Sequence, residues 1–160
     1  MLRQNDVDLI YALDEKISRK NCIKTCVKPE RIVFSASPGH SLAAQKTITL
    51  SEIVKHPLIL AERISIYRQE LDAAAARLEI EFTPFLEVNN LEVILKLLKK
   101  GIGISFLPEY VVKESVNKGE LVLLNVSDCK VNLWSQVIRH KNKWVTPQMN
   151  LVMQLIRENI

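Results

Sequence analysis

The sequence predicts an α/β fold in which strands and helices alternate along the chain. Short apolar runs typical of buried strands recur, amphipathic segments with helical spacing separate them, and Gly or Pro stands at several of the transitions. Strands joined through helices at short spacing form βαβ crossovers. We therefore expect a mostly parallel sheet with helices on both faces.

Apolar runs predict seven strands. They lie at residues 7–13, 31–37, 57–61, 82–88, 102–107, 120–126 and 133–139. Pro57 stands at the first position of its strand, where the sheet requires no amide donor. The polar, Lys-rich segment 18–29 shows neither the strand nor the helix repeat of apolar residues, and it is expected to be the least structured stretch.

Capping residues and periodicity predict five helices. They begin near Thr49, Ser65, Asn90, Pro108 and Thr146. The third is the clearest, because Leu91, Ile94, Leu95 and Leu98 form one apolar stripe and Gly101 suits the left-handed residue that ends a helix.

Composition limits the setting of the protein. The 160 residues are 48% hydrophobic and 25% charged, which is typical of a globular protein and excludes an extended disordered chain. The net charge is +4, and the clusters of basic residues are not interleaved with aromatic residues. This pattern favours a mildly basic surface over a nucleic-acid-binding face. No apolar run approaches the roughly 18 residues of a membrane span, and residues 1–6 show no signal peptide. We expect a cytoplasmic protein with no membrane partner.

No catalytic, cofactor or metal site is predicted. Gly101-x-Gly103 lies between a helix and a strand, the reverse of the dinucleotide-binding order, and so predicts a helix end and close backbone packing. No His or second Cys pair completes a zinc set. The three cysteines indicate reduced thiols, with a redox-sensing pair at Cys22 and Cys26 as an alternative. We expect neither an enzyme nor a bound cofactor.

A binding site is better supported. In open α/β sheets, ligands lie beyond the carboxyl ends of strands, against the N-termini of helices. Ser65, Ile66 and Tyr67 follow one predicted strand, and Asn89 and Asn90 follow the next. Helix-start amides with Ser and Asn oxygens suit a small anion such as a carboxylate. The alternative is that Ser65 and Asn90 only cap their own helices.

The order of segments resembles the effector-binding domain of LysR-type transcriptional regulators. The resemblance is carried by residues 33–35 with 40–43, 48–53, 56–59, 87–90, 100–108 and 119–122, and the opening 6–10 looks like a strand of the family's first subdomain. It covers nearly the whole chain.

The resemblance implies a periplasmic-binding-protein-like (type II) fold with two βαβ subdomains, the first of them incomplete. Residues 1–54 and 133–160 would form the partial first subdomain, and residues 55–132 the second. A small, anionic effector would lie in the cleft between them. Ser65, Tyr67 and Asn89 would bind its polar end, flanked by Ile66 and Asn90. Ile104 and Phe106 would line the sheet behind it, and Tyr11 would face it from the other subdomain.

The resemblance also implies partners. Full-length members carry an N-terminal helix-turn-helix that binds DNA and usually work as tetramers. This chain lacks that segment, so DNA would be contacted only through the missing domain. The incomplete lobe is expected to be completed by self-association or to be partly disordered, because an open apolar sheet face is costly. A stand-alone solute-binding module or an enzyme fragment on the same bilobal scaffold is the alternative.

Overall fold

The computed structural model describes residues 7–17 and 20–159, and the predicted features at residues 1–6 and at Ser18 lie outside this part of the chain. Strands and helices alternate within it. The strands are β1 (Ile10–Asp14), β2 (Cys22–Ala36), β3 (Ile59–Leu60), β4 (Leu86–Glu87), β5 (Ser105–Pro108), β6 (Val122–Leu124) and β7 (Asn132–His140). The helices are α1 (Leu50–Ile53), α2 (Ile66–Arg77), α3 (Leu91–Lys99), α4 (Glu109–Asn117) and α5 (Pro147–Asn159). None of the helices in the described ranges has the length and apolar character needed to cross a bilayer.

The chain divides into two compact units. The first contains Met1–Glu30 and Asn132–Ile160, and the second contains Arg31–Val131. This division differs from the predicted subdomains over residues 31–54, which here belong to the second unit. The reason is local: Leu50 and Ile53 of α1 are fully buried, and the Leu50 amide donates to Asp128 Oδ1 (2.8 Å). The predicted subdomain boundaries stay a prediction.

In the first unit, helix α5 packs on a small antiparallel sheet. Strand β1 pairs with β7 in antiparallel register, from Ile10 opposite Ile138 to Asp14 opposite Trp134, and β7 also neighbours β2. Val137 of β7 and Met153 of α5 form the buried centre of this contact. The predicted start of α5 is confirmed, because the Met149 amide donates to Thr146 Oγ1 (3.2 Å).

In the second unit, helices α3 and α4 cover strands from several parts of the sequence. The residues that share this core are Val33, Ile59, Ile94, Leu98, Leu107, Val112 and Leu121. The C-terminal part of β2 pairs antiparallel with β5 and β6. Strands β3 and β4 are parallel to each other, and a parallel bridge joins Leu58 to Ile104.

The prediction of a mostly parallel sheet is wrong for β1, β2, β5, β6 and β7. Their described pairs β1–β7, β2–β5 and β2–β6 are antiparallel. The sequence rule applies to strands joined through a crossover helix, as β3 is joined to β4 through α2. β2 is different because it continues for 15 residues and later strands return beside it in the opposite direction.

The prediction that residues 18–29 form the least structured stretch is wrong from Cys22 onward. β2 begins at Cys22 and includes the Lys-rich stretch and Pro29. Thr25 Oγ1 donates to the Val137 carbonyl of β7 (3.4 Å). Lys and Pro have low strand propensity, so this half of β2 depends on its partner strand more than on its own composition.

Two histidines of the second unit contact each other. The ring centroids of His40 and His56 are 4.8 Å apart, and the Leu42 amide donates to His40 Nδ1 (3.2 Å). Burial, and to a lesser degree the charge of His56, lowers the pKa of His40 below its ordinary value. The folded chain therefore resists protonation at His40.

This contact predicts an acid-sensitive stability. The unfolded chain protonates His40 near pH 6.5, its ordinary pKa, whereas the folded chain does so at lower pH. The contribution of neutral His40 to the free energy of unfolding should therefore be fully present above about pH 6.5. It should be lost as the pH falls through the lowered pKa. Urea unfolding followed by circular dichroism between pH 7.5 and 5 measures this slope. The slope of the free energy of unfolding against pH should be smaller in His40→Gln and unchanged in the control His140→Gln. Equal slopes in the wild type and His40→Gln would contradict the prediction.

Candidate functional site

The candidate site lies where two parallel strands end. β3 and β4 are neighbours with Leu60 opposite Glu87, so their carboxyl ends lie at the same edge. The chain leaves β3 through residues 61–65 into α2, and leaves β4 through residues 88–90 into α3. The N-termini of both helices therefore begin close after this edge, as the sequence predicts.

At the start of α2, the Ser65 hydroxyl makes no capping hydrogen bond to the helix amides. Ser65 occupies the N-cap position with extended backbone angles (φ −71°, ψ 130°), yet its side chain makes no capping hydrogen bond. Its main-chain carbonyl accepts from the amides of Arg68 (3.0 Å) and Gln69 (3.1 Å). The predicted N-cap position is confirmed, but the hydroxyl does not cap the helix and interacts with the Tyr67 hydroxyl instead.

Tyr67 lies in the first turn of α2 and is half-buried. It packs against the core that contains Ile59 and Ile94. Burial raises the pKa of the Tyr67 hydroxyl, and the nearby Ser65 hydroxyl opposes that change by a smaller amount. Tyr67 is therefore a neutral hydroxyl at physiological pH, able to donate or accept a hydrogen bond.

At the start of α3, Asn90 is a helix cap. Its Oδ1 accepts from the amides of Glu92 (3.0 Å) and Val93 (3.2 Å). This use of Oδ1 favours the capping role over ligand contact for Asn90. Asn89 is exposed beside it, and no helix cap involves its side chain.

A buried arginine that the sequence did not point to connects the loop after β3 with the end of β4. Arg68 is 2% exposed. Its Nη1 donates to the Ala61 carbonyl (3.1 Å) and lies 3.0 Å from Glu87 Oε1, and its Nε lies 2.9 Å from Asp72 Oδ1. It thus ties the loop after β3 and the end of β4 to α2. The only local signal in the sequence is the spacing of Arg68 and Asp72, four residues apart on one helix.

The remaining predicted site residues lie in three different environments. Ile66 is half-buried at the first position of α2. Ile104 and Phe106 are fully buried core residues, and the Phe106 ring centroid lies 4.6 Å from that of Phe34. Tyr11 is 55% exposed on β1 in the first unit. The structure thus places Ser65, Ile66, Tyr67, Asn89 and Asn90 at one strand edge, and the ligand-binding roles of all eight residues stay predictions.

The Cys129 thiol is not activated as a nucleophile. Burial, with a smaller effect from Asp128, raises the pKa of the Cys129 thiol to about 11, so it is protonated at neutral pH. The predicted redox-sensing pair of Cys22 and Cys26 stays a prediction, because the side chain of Cys26 lies outside the part of the chain that the structure describes. Within residues 7–17 and 20–159, no group of three His, Cys, Asp or Glu residues is placed to bind a metal ion.

Known proteins resemble this chain in sequence along its length. The family model of the LysR substrate binding domain matches residues 1–160. The uncharacterized HTH-type transcriptional regulator YwqM of Bacillus subtilis is 28% identical over 159 residues, which cover 98% of this chain and 53% of that protein. The chain spans about half the length of the curated relatives it matches.

Solved structures resemble the chain in fold. The regulatory domain of CcmR from Synechocystis, in complex with 2-PG, superposes with a TM-score of 0.82 at 18% identity, covering 99% of this chain and 76% of that one. The effector-binding domain of QuiR, in complex with shikimate, gives a TM-score of 0.74 at 18% identity, covering 99% and 74%.

These likenesses confirm the predicted fold class, the periplasmic-binding-protein-like (type II) α/β fold of LysR effector-binding domains. They also confirm the resemblance drawn from the sequence motifs, since a family model covers all 160 residues. The chain belongs to the LysR substrate-binding domain family.

Proposed function

We propose that this chain is the effector-binding part of a LysR-type transcriptional regulator and binds a small, anionic molecule at the carboxyl edge of β3 and β4. Family membership supports the proposal, as do relatives that are HTH-type transcriptional regulators. Regulatory domains of the same fold bind 2-PG and shikimate.

The single observation that carries the choice of site is the Ser65 hydroxyl at the start of α2, which does not cap the helix and instead pairs with the Tyr67 hydroxyl. The first amides of a helix carry a partial positive charge and attract anions. Arg63, in the same loop, is 74% exposed in its side chain and adds a positive charge that Glu87, 3.9 Å away, offsets in part. A hydroxyl donor, helix-start amides and a cation together favour a carboxylate or phosphate over a neutral ligand.

The other predicted residues complete the proposed site. Tyr67 and Asn89 donate to the polar end of the effector, Ile66 contacts its body, and Asn90 acts chiefly as the cap that holds α3 in place. The proposal keeps Ile104 and Phe106 as the apolar layer behind the ligand. The ligand contact predicted for Tyr11 stays a prediction.

The proposed activity is sensing without catalysis. The relatives are transcriptional regulators, and we infer that the chain itself catalyses no reaction and needs no cofactor. In the whole regulator, effector binding shifts the populations of its conformations, the subunits associate with one another, and DNA is bound outside these 160 residues. The proposed location is the cytoplasm.

Two side chains of the proposed site can be removed without disturbing a helix cap. The double variant Ser65→Ala with Asn89→Ala is expected to weaken binding of an anionic effector by about 100-fold, since each hydrogen bond to a charged group contributes about 1.5 kcal/mol. Calorimetric titration with a panel of small carboxylates and phosphorylated acids, beginning with 2-PG and shikimate, measures the affinity. The melting temperature should change little.

Asn90→Ala is the matched control. It should lower the free energy of unfolding by about 1 kcal/mol through loss of the cap, while leaving effector affinity within a few-fold of the wild type. If the double variant binds the effector as the wild type does, or loses stability as Asn90→Ala does, Ser65 and Asn89 are structural and the proposed site is wrong.

A further inference from the structure

The first unit contains a cavity far in sequence from the proposed effector site. It has a volume of about 530 Å³ and lies where α5 meets β2 and β7. Thr25 of β2, Arg139 of β7 and Arg157 of α5 line it. A cavity of this size suits a small metabolite.

The lining of the cavity is positively charged. It includes two arginines and, among the described residues, no aspartate or glutamate. Neither Arg139 nor Arg157 forms an ion pair with a carboxylate in the described part of the chain. Within the described residues, Arg157 Nη2 donates a long hydrogen bond to the Thr25 carbonyl (3.5 Å). Glu158 is not part of the lining, but its Oε1 accepts from the lining residue Gln154 (2.8 Å). Two guanidinium charges in a lining without a carboxylate attract an anion.

Arg139 has an unused donor. Its Nη1 donates to the His140 carbonyl (3.3 Å), but its Nε is buried and has no hydrogen-bond partner within the described structure. Buried donors almost always have a partner, and a guanidinium N–H is among the most costly to leave without one. The edge of a guanidinium that carries Nε matches the two oxygens of a carboxylate.

The cavity also has an apolar part. Val145 and Met153 line it beside the arginines, and Met153 belongs to the buried contact between α5 and β7. A ligand that satisfies both parts carries one charged group and a short hydrocarbon chain. Inorganic phosphate or a sugar would leave the apolar wall without a partner.

We propose that this cavity is a second ligand site, which binds a small monocarboxylate with an apolar tail. The carboxylate accepts from the Arg139 guanidinium and is attracted by Arg157, and the tail packs on Val145 and Met153. This site shares no residue with the proposed effector site, since its lining belongs to the first unit and the β3–β4 edge belongs to the second.

The test uses straight-chain monocarboxylates from acetate to octanoate, titrated into the 160-residue chain and followed by amide chemical shifts. We expect the longer acids to bind with dissociation constants near millimolar, as small ligands with one strong polar contact do. The shifts should map to the amides around Thr25, Arg139 and α5. Hexanamide, the neutral isostere of hexanoate, should bind at least about tenfold more weakly.

Variants assign the contact to the guanidinium. Arg139→Gln should weaken hexanoate binding by about tenfold or more, and Arg139→Lys should recover only part of that loss because lysine lacks the planar edge. The matched control is Arg77→Gln, which removes the same charge from the exposed face of α2 and should leave hexanoate affinity unchanged. The dispersion of the amide spectrum shows directly that each variant is folded.

The proposal would be overturned by the absence of shifts at up to about 10 mM of any acid in the series, by equal binding of hexanoate and hexanamide, or by binding of inorganic phosphate in preference to the acids. Shifts confined to the starts of α2 and α3 would also overturn it, while supporting the proposed effector site. Loss of binding in Ser65→Ala with Asn89→Ala, by contrast, concerns only the effector site, so the two proposals can fail separately.

Discussion

Gly103→Ala is expected to lower the free energy of unfolding by about 3 kcal/mol or more. A Cβ atom at residue 103 would lie 2.3 Å from the Pro57 carbonyl oxygen and 3.1 Å from its carbonyl carbon. The obstacle is main chain, so no side chain can rotate away. Pro57 O also accepts from the Ile104 amide (3.0 Å). Relieving the overlap therefore costs overpacking strain of about 1–3 kcal/mol together with a buried hydrogen bond.

Two other glycines are matched controls for this prediction. At Gly39, an added Cβ meets nothing within 4 Å, and Gly39→Ala should change stability by about 0.5 kcal/mol at most. At Gly101, φ is +76°, and alanine in this left-handed conformation costs about 1 kcal/mol. The expected order of destabilisation is therefore Gly103, then Gly101, then Gly39.

Urea unfolding followed by far-UV circular dichroism is the appropriate measurement. Both tryptophans, Trp134 and Trp144, lie in the first unit, whereas Gly103 lies in the second, so fluorescence would follow the wrong part of the molecule. If Gly103→Ala were no less stable than Gly39→Ala, the close approach of residue 103 to Pro57 would not exist in solution.

The ends of the helices could be predicted because their causes are local. Asn90 caps α3 with its own side chain, and the helix ends where the amides of Gly101 and Ile102 donate to the carbonyls of Leu98 and Leu97. Such bonds join residues two to five positions apart. A reader of the sequence sees all the partners at once, and the predicted bounds of α3 are confirmed.

Strand pairing could not be predicted in the same way. The first half of β2 has a composition that disfavours strand, and it is ordered by β7, which begins at Asn132, far along the chain. The direction of pairing is likewise decided between distant segments: Val33 of β2 lies opposite Leu107 of β5. Hydrophobic period shows that a segment is a strand but carries no information on its neighbour or its direction.

The candidate site was partly predictable. The rule that ligands lie beyond strand ends identified Ser65 and Asn89 from their order in the sequence. It could not show that the side chain of Asn90 caps α3 while that of Ser65 does not cap α2, because the two residues occupy equivalent positions and differ only in side-chain geometry. Nor could it show Arg68, whose burial depends on Glu87, a partner 19 residues away.

Arg68→Met is expected to lower the free energy of unfolding by about 3 kcal/mol. Methionine retains most of the buried stem and removes the guanidinium, so the loss reports the polar contacts. The Ala61 carbonyl loses a donor in a buried environment, and Glu87 and Asp72 lose the charge that neutralises them. Removing one partner of a fully buried pair costs about 3–5 kcal/mol. The lower end applies here because both carboxylates are about one-third exposed and can rehydrate.

Arg63→Met is the matched control, since Arg63 also lies near Glu87, at 3.9 Å, but is 74% exposed. An exposed pair contributes about 0.5 kcal/mol. Arg68→Met in a Glu87→Gln background should cost at least about 1 kcal/mol less than in the wild type, which measures the coupling of the two groups. Additive losses, or equal losses for Arg63 and Arg68, would mean that Arg68 fills space without joining the strand end to α2. Non-additive losses of stability would instead mean that the buried charge of Arg68 fixes the loop that carries Ser65. Effector binding at the proposed site would then depend on Arg68, although this side chain is only 2% exposed and so has no surface for a ligand to contact.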